Sequence, residues 1–268
     1  MDNSEHISQI LKALVYIEEH LDEELLLDTI AKEAHISPYH FHRLFLASMG
    51  ETLYSYIRRL RLEKARGKLQ YSNESIFNIA LDVGYESHAG FCKAFKAITC
   101  ETPLKYRERM RPIVAAMMQR MTTSRRPSFK IVYREDLKVL FARETGNYNE
   151  VPARAFQKLF MKISQEGPYY SMALDDPSIV DPNECRFDAC IEAKKEARGL
   201  GKKVIQAGRY ACFTHQGPYE NLTEAFQEIY ANWLPFTKER LADLPDFCEH
   251  LDFSNFVTKI YIPLLEPQ

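Results

Sequence analysis

The 268-residue sequence has no apolar run of about 18 residues, so no segment reads as a membrane-spanning helix. Its first ten residues, MDNSEHISQI, lack a basic stretch followed by an apolar one, so no secretory leader is expected. The six cysteines, Cys92, Cys100, Cys185, Cys190, Cys212 and Cys248, contain no Cys-x-x-Cys and no nearby histidine pair at zinc spacing. No metal is therefore expected, and reduced thiols in the cytoplasm fit the missing leader. Gly-x-Ser-x-Gly, His-Glu-x-x-His and phosphate-loop patterns are missing too. Those gaps disfavour the common hydrolase and nucleotide-dependent classes, so the chain reads as a non-enzyme without a cofactor. Excess charge is also missing: 35 Lys+Arg face 37 Asp+Glu, for a net charge of −2. Taken whole, that balance argues against a nucleic-acid partner.

What is present changes this. Hydrophobic residues make up 46% and aromatics 12%, which excludes wholesale disorder. The length fits one large domain or two ordinary ones. Charge is unevenly spread. Residues 1–34 hold 2 basic and 9 acidic side chains, whereas residues 35–126 hold 16 basic and 7 acidic. Residues 127–268 hold 17 basic and 21 acidic. A basic block between two acidic ones points to a polyanion.

The basic block repeats itself. Residues 37–56 and 87–106 share seven of twenty identities at an offset of 50, among them Phe41/Phe91, Phe45/Phe95 and Tyr56/Tyr106. Upstream, Ile30-Ala31 corresponds to Ile79-Ala80. A duplicated unit is the simplest account. Each copy reads as helix, tight turn, helix. In the first, Leu27, Ile30, Ala31 and Ala34 share a face. Ser37 offers an N-cap oxygen, Pro38 suits the first helical position, and Phe41, Leu44, Phe45 and Ser48 point inward. In the second, Ser75 caps a helix with Ile76, Ile79, Ala80 and Val83 inside, and Gly84 supplies a turn residue free to take positive φ. Ser87 then caps a helix burying Phe91, Ala94, Phe95 and Ile98. Between the copies, Thr52 to Gln70 reads as one long helix. Its outer face holds Arg58, Arg59, Arg61, Lys64, Arg66 and Lys68. Thr102-Pro103 opens a closing helix.

Paired helices with a short turn are the helix-turn-helix pattern. The string LDTIAKEAHISPYHFHRLF, from Leu27 to Phe45, resembles the first such motif of AraC-type transcription regulators. The strings IALDVGYESHAGFCKAFK and TPLKYR resemble their second motif and its closing signature. The resemblance implies double-stranded DNA as partner, with RNA polymerase as a further one. A recognition helix reads base edges from its free face. In the first copy that face carries Pro38, Tyr39, His42, Arg43 and Leu46. Arg43 suits a bidentate contact to guanine, His42 a bond to guanine N7 or O6, and Tyr39 a thymine methyl or a phosphate. In the second, the matching positions are His88, Ala89, Gly90 and Lys93. Ala89 and Gly90 have no side chain to read with, a departure from the family. The second helix is then expected to contribute mainly backbone contacts through Lys93 and Lys96, or to read DNA shape. The two helices are expected on one DNA face, about one turn or ~34 Å apart, so that one chain spans two major grooves.

Residues 1–110 thus form an all-α DNA-binding domain with two helix-turn-helix motifs. Residues 111–128, which end in Ser/Thr, two arginines and Pro127, read as a linker. Residues 129–268 read as an α+β domain, since Val132 to Arg143 and Lys203 to His215 have strand composition. This half echoes itself as well. Gly146-Asn147-Tyr148 precedes Ala155-Phe156-Gln157, and Gly217-Pro218-Tyr219 precedes Ala225-Phe226-Gln227. Two pseudo-repeated strand–helix–strand halves with a ligand groove between them follow.

The strings GNYNEVPARAFQKLF, LDDPSIVDPNECRFDACIEA, GRYACFTHQGPYENLTEAFQEIYANWLP and TKIYIPL resemble the gyrase-inhibitor-like effector-binding domain. The resemblance implies a small-molecule effector. Candidate ligand residues are Tyr148, Tyr219, Trp233, Phe187 and Phe213, with Tyr169 as a further wall. Glu249 completes the set. It lies near the family's pocket glutamate, although the usual Glu-x-Tyr is here Glu249-His250-Leu251. A carboxylate among aromatics favours a flat, amphipathic or cationic ligand. Some relatives of this domain are hydrolytic, so the alternative is a binding or hydrolysing protein. In that case His215 and Glu249 would act as a base–acid pair if close in space.

Overall fold

The same interlock of two phenylalanines and a tyrosine is built twice in the first half of the chain. In the computed structural model, which describes residues 3–121, 127–165, 167–252 and 256–267, the chain divides into two units, Met1–Gln119 and Arg120–Gln268. The first contains α1 (Asn3–Glu19), α2 (Leu27–Glu33), α3 (Pro38–Met49), α4 (Leu53–Tyr71), α5 (Ile76–Asp82), α6 (His88–Thr99) and α7 (Pro103–Met121). Phe41 packs on Phe45 at 5.6 Å and Phe45 on Tyr56 at 5.5 Å. Phe91, Phe95 and Tyr106 repeat those separations, 5.6 and 5.5 Å. Arg59 stacks on Tyr56 and pairs with Glu51, while Arg109 stacks on Tyr106 and pairs with Glu101.

The caps repeat with variation. Thr52 accepts from the Ser55 N–H, and Thr102 from the Lys105 N–H. Ser75 and Ser87 accept from Asn78 and Gly90, whereas Ser37 stands at its N-cap without a side-chain bond, leaving Pro38 to start α3. Two left-handed residues end the helices of each copy, and only one of each pair is glycine: His35 (φ 57°) and Gly50 (φ 72°), then Gly84 (φ 80°) and Cys100 (φ 62°). A side chain at positive φ costs about 1 kcal/mol or more, whereas glycine takes it freely. Cys100→Gly should therefore stabilise this unit by about 1 kcal/mol, read by chemical unfolding of the helical signal. A destabilised variant would show that the Cys100 side chain has compensating contacts.

Two inward assignments do not hold. Ser48 and Ile98 occupy matching positions and both are exposed. The buried stripe ends one turn earlier, at Phe45 and Phe95, and the helices reach their left-handed caps, Gly50 and Cys100, two residues past Ser48 and Ile98. The span expected as a linker is helical up to Met121, with residues 122–126 outside the described set. Pro112 lies inside α7 and removes one helical hydrogen bond. Both Pro112 and Glu108 are exposed, so water can satisfy the carbonyl left behind.

The second unit holds β1 (Phe129–Arg134), β2 (Leu137–Thr145), α8 (Val151–Lys162), β3 (Tyr169–Ala173), β4 (Arg186–Glu192), β5 (Gly201–Ile205), β6 (Gly208–Gln216), α9 (Leu222–Asn232), β7 (Phe247–Asp252) and β8 (Val257–Leu264). One antiparallel sheet runs β1-β6-β8-β7-β3-β4-β2-β5. Read from its centre, β3-β4-β2-β5 mirrors β7-β8-β6-β1, so a pseudo-twofold axis passes between β3 and β7. β1 precedes everything in its unit yet completes the second half. Glu135-Asp136 alone join β1 to β2, six strands away. A flat sheet would separate them by about 29 Å, and two linking residues reach only about 11 Å. The sheet must curl.

Side chains alternate between two faces. On the outer face, α8 covers Leu140, Ala142, Phe187, Ala189 and Ile191, and α9 covers Ala211, Phe213, Ile260 and Ile262. His250 lies in this layer, 4% exposed, between the rings of Phe156 and Tyr219 and within 2.9 Å of Ser171 Oγ and 3.3 Å of Thr258 Oγ1. Burial pushes it from 6.5 down to about 4. The unfolded chain thus binds the proton first as pH falls. About 3 kcal/mol of stability, present above about pH 6.5, should be lost progressively towards about pH 4. Asp246, pushed up to about 6 by burial, acts in the opposite sense over part of that range. The measurement is therefore a difference: unfolding free energies at pH 7 and 5 for wild type and His250→Gln. An equal drop in both proteins would dismiss His250 as the source.

Candidate DNA interface and ligand face

The six expected DNA contacts lie on α3 and α6, and all six are exposed: Tyr39, His42 and Arg43, then His88, Lys93 and Lys96. The reason is periodicity. Phe41 and Phe45 fix the buried side of α3, so residues 39, 42, 43 and 46 must face away, and Phe91 and Phe95 do the same for α6. Tyr39 is 68% exposed, a large ring with no core to fill. Its hydroxyl accepts from Arg43 at 3.2 Å, and the guanidinium lies over the ring at 5.8 Å. The pair presents a planar donor fork already partly oriented, which suits bidentate recognition. On α6, His88 stands 3.5 Å from the Cys92 thiol, whose pKa burial raises. Ala89 and Gly90 leave that helix shallow.

The long helix between the copies is not a fully solvated row of cations. Arg58, Arg59, Arg61, Lys64, Arg66 and Lys68 are all half-buried. Arg58 donates to the Ala94 carbonyl, Arg59 pairs with Glu51 and Glu63, and Lys68 pairs with Asp82. Arg61 donates to three carbonyls, of Leu21, Gly84 and Glu23, at 2.9, 2.8 and 2.6 Å. Part of the basic block thus ties the long helix to the second copy and to the chain after α1. Helical pattern identified these residues as outer, but their carbonyl partners lie 23 to 40 residues away and leave no local signal.

The aromatic ligand candidates fall on the outer face of the sheet, beneath the helices. Tyr148 packs on Phe187, and its hydroxyl lies 3.0 Å from the Asp175 and Arg186 carbonyl oxygens. Tyr169 packs on Phe156, and Tyr219 packs on His250. Trp233 is wedged against Phe213 and Phe129 at 5.0 and 5.2 Å. These rings belong to the layers that attach α8 and α9. Strand alternation reveals which residues share a face, but not which face a helix covers.

Glu249 alone of the set turns to the inner face of the curl. It accepts from Tyr261 at 2.5 Å, Arg134 at 3.3 Å and Tyr170 at 3.5 Å. Arg134 lies over the Tyr261 ring at 4.7 Å, and Phe247 stacks on that ring at 4.6 Å. Register places Thr214, Lys259, Glu249, Tyr170, Cys190 and Phe141 in one row across the sheet. On the first half of this face, Asp188 is fully buried between Arg143, at 2.8 Å, and Lys203. Burial alone would raise its pKa, but the two cations outweigh it and hold the carboxyl down to about 2. On the second half, a cavity of about 670 Å³ opens against β1, β6 and β8. His215 follows Ala211 and Phe213 onto the outer face, so it and Glu249 stand on opposite sides of the sheet and do not form a base–acid pair. Sequence reading missed Arg134, Tyr170, Lys259 and Tyr261. Their alternation within strands was visible, but their convergence needed the register.

A duplicated helix-turn-helix unit with two exposed recognition helices, joined to a twofold curled sheet with an inner cavity, defines a DNA-binding regulator with a small-molecule-binding domain. Comparison with known proteins agrees. Residues 127–265 match the GyrI-like small molecule binding domain, and residues 30–109 match a helix-turn-helix domain family. The chain belongs to the AraC-type transcription regulators that carry a GyrI-like domain. It is 41% identical over 106 residues to the transposon Tn10 TetD protein of Escherichia coli, covering 40% of this chain and 77% of that protein. It is 37% identical over 103 residues to the regulatory protein SoxS of Salmonella typhimurium, covering 38% and 96%. Similarity to the right origin-binding protein of Escherichia coli K12 extends through both units: 27% identity over 244 residues, 83% of each chain. No helix among the described residues is long and apolar enough to cross a membrane.

Proposed function

We propose that this regulator reads an asymmetric DNA site mainly through α3 and holds it through α6, while the inner face of the curled sheet takes the effector. The reading rests on one observation: matching faces of the two helices expose different chemistry. The α3 helix offers Tyr39, His42 and Arg43, which can reach base edges, and α6 offers His88, Lys93 and Lys96 around Ala89 and Gly90, which are too short to read. One chain then spans two successive major grooves without dimerising. The protein acts in the cytoplasm without covalent chemistry, and RNA polymerase is its further partner. Transcription with purified polymerase, with and without the protein, tests that last contact.

Binding in gel shifts at ~150 mM salt separates the helix roles, since non-specific contacts weaken steeply with salt. Arg43→Ala should relax base preference at one position and cost about 1–3 kcal/mol there. Lys93→Ala should weaken all sites about equally and reduce the salt slope by about one unit. Unchanged specificity in the Arg43 variant would remove it as a reader.

A further inference from the structure

The two halves of the sensor sheet are alike in backbone and opposite in what fills them. An offset of 71 relates Gly146 to Gly217 and Tyr148 to Tyr219. The same offset relates Phe141 on β2 to Cys212 on β6. Register completes the match. Phe141 stands opposite Gly201 on β5 and Cys190 on β4, whereas Cys212 stands opposite Lys130 on β1 and Tyr261 on β8. In the first half the space is full. The Phe141 ring is fully buried and lies across Gly201 so closely that an added Cβ would come within 2.4 Å of it. In the second half a thiol replaces that ring, and the cavity lies at this place, lined among others by Lys130, Val132, Arg134, Cys212, Lys259 and Tyr261.

The charge is inverted as well. The acid of the first half, Asp188, pairs in register with Arg143, and its counterpart opposite Thr214 is Lys259. Glu249 is already matched by Arg134 and Tyr261, so the carboxylate is not a lone negative site waiting for a cation. Glu135 and Asp136, in the turn that follows β1, also border the cavity, and Asp136 accepts from the Ala207 N–H. Lys130 and Lys259 form no ion pair among the described residues, although Lys259 stands across from Glu249 in register. A cavity of this volume is of small-molecule size.

We infer that this half-site takes a small molecule with an apolar, ring-sized body in the place of the missing phenylalanine and an anionic group, of the carboxylate or sulfonate class, held by Lys130 and Lys259. The inference rests on the reading of the inner face as the effector site. It reverses the cationic preference expected from Glu249 in isolation.

A matched pair of probes with one apolar body and opposite charge tests it: 1-naphthaleneacetate and 1-naphthylmethylammonium, titrated calorimetrically into the full chain. The anion should bind about tenfold more tightly than the cation. The double variant Lys130→Ala/Lys259→Ala should lose that preference, and Cys212→Phe should abolish binding of both probes by rebuilding the filled half. Unchanged Trp233 fluorescence on unfolding checks each fold, and the lysine variant decides the matter if Cys212→Phe does not fold. Tighter binding of the cation would overturn the anion inference and leave the site standing. Anion binding indifferent to these substitutions would place it elsewhere and overturn the inference. No binding of either probe would overturn the site reading itself.

Discussion

Asp188→Asn should destabilise the sensor domain by about 3–5 kcal/mol, the largest effect expected of any single substitution in this chain. The carboxylate has no exposed surface and lies between Arg143 and Lys203, which are themselves nearly buried. Asparagine keeps the shape and removes the charge. Two cations then remain in a poorly solvated place, stacked on the Phe141 ring at 5.3 and 4.8 Å, without the carboxylate that lies between them. Converting Lys203 to methionine in the same protein should recover part of the loss, because it removes one of the stranded charges. The pH dependence has a definite sign. A folded carboxyl near 2, below the ordinary 3.8, contributes stability that is complete above about pH 4 and disappears as pH falls through about 2. Urea unfolding can be followed by Trp233, the single tryptophan, which lies in the core under α9 and so reports this unit alone. A loss below about 1 kcal/mol would mean that water or a local rearrangement neutralises the two cations.

Arg61→Ala should weaken the DNA-binding unit by about 2–3 kcal/mol and cost DNA affinity although Arg61 touches no base. Its guanidinium gathers the Leu21 and Glu23 carbonyls after α1 and the Gly84 carbonyl in the second turn. Hydrogen bonds from a charged donor contribute about 1.5–3 kcal/mol each when buried, but this site is half-exposed and water replaces part of them. Gly84 belongs to the same arrangement. A Cβ there would approach the guanidinium to 2.7 Å, and its φ of 80° already favours glycine. Lysine at 61 cannot span three carbonyls with one ammonium, so Arg61→Lys should behave more like alanine than like arginine. Unfolding of the helical signal and gel-shift affinity check both parts. Full stability with weakened DNA binding would instead make Arg61 a phosphate contact.

The duplicated helix pair was legible because its signals are local. Phe41, Phe45 and Tyr56 recur as Phe91, Phe95 and Tyr106, and each triplet closes on itself within twenty residues. The recognition faces followed from the same spacing. Legibility failed where partners are distant or where sign matters. The cations of α4 looked like a solvated row, since nothing in their spacing shows the Ala94, Leu21 or Gly84 carbonyls. In the sensor domain, the Gly-x-Tyr echo revealed two halves correctly. It did not reveal that Tyr148 and Tyr219 anchor helices on the outer face. Glu249 stood out by resemblance, but its neutralising partner is 115 residues away, on a strand that crosses into the opposite half.

That crossing strand has a mechanical consequence. Among the described strands only β6 pairs its backbone with β1, along one edge, and side chains such as Arg134 and Phe129 supply its other contacts. A strand bonded on one side is among the first parts of a sheet to open. Lys130, Val132 and Arg134 all lie on β1 and line the cavity. A molecule that bridges them to β8 would hold this edge strand in place, and slower amide exchange along β1 is where its binding would register.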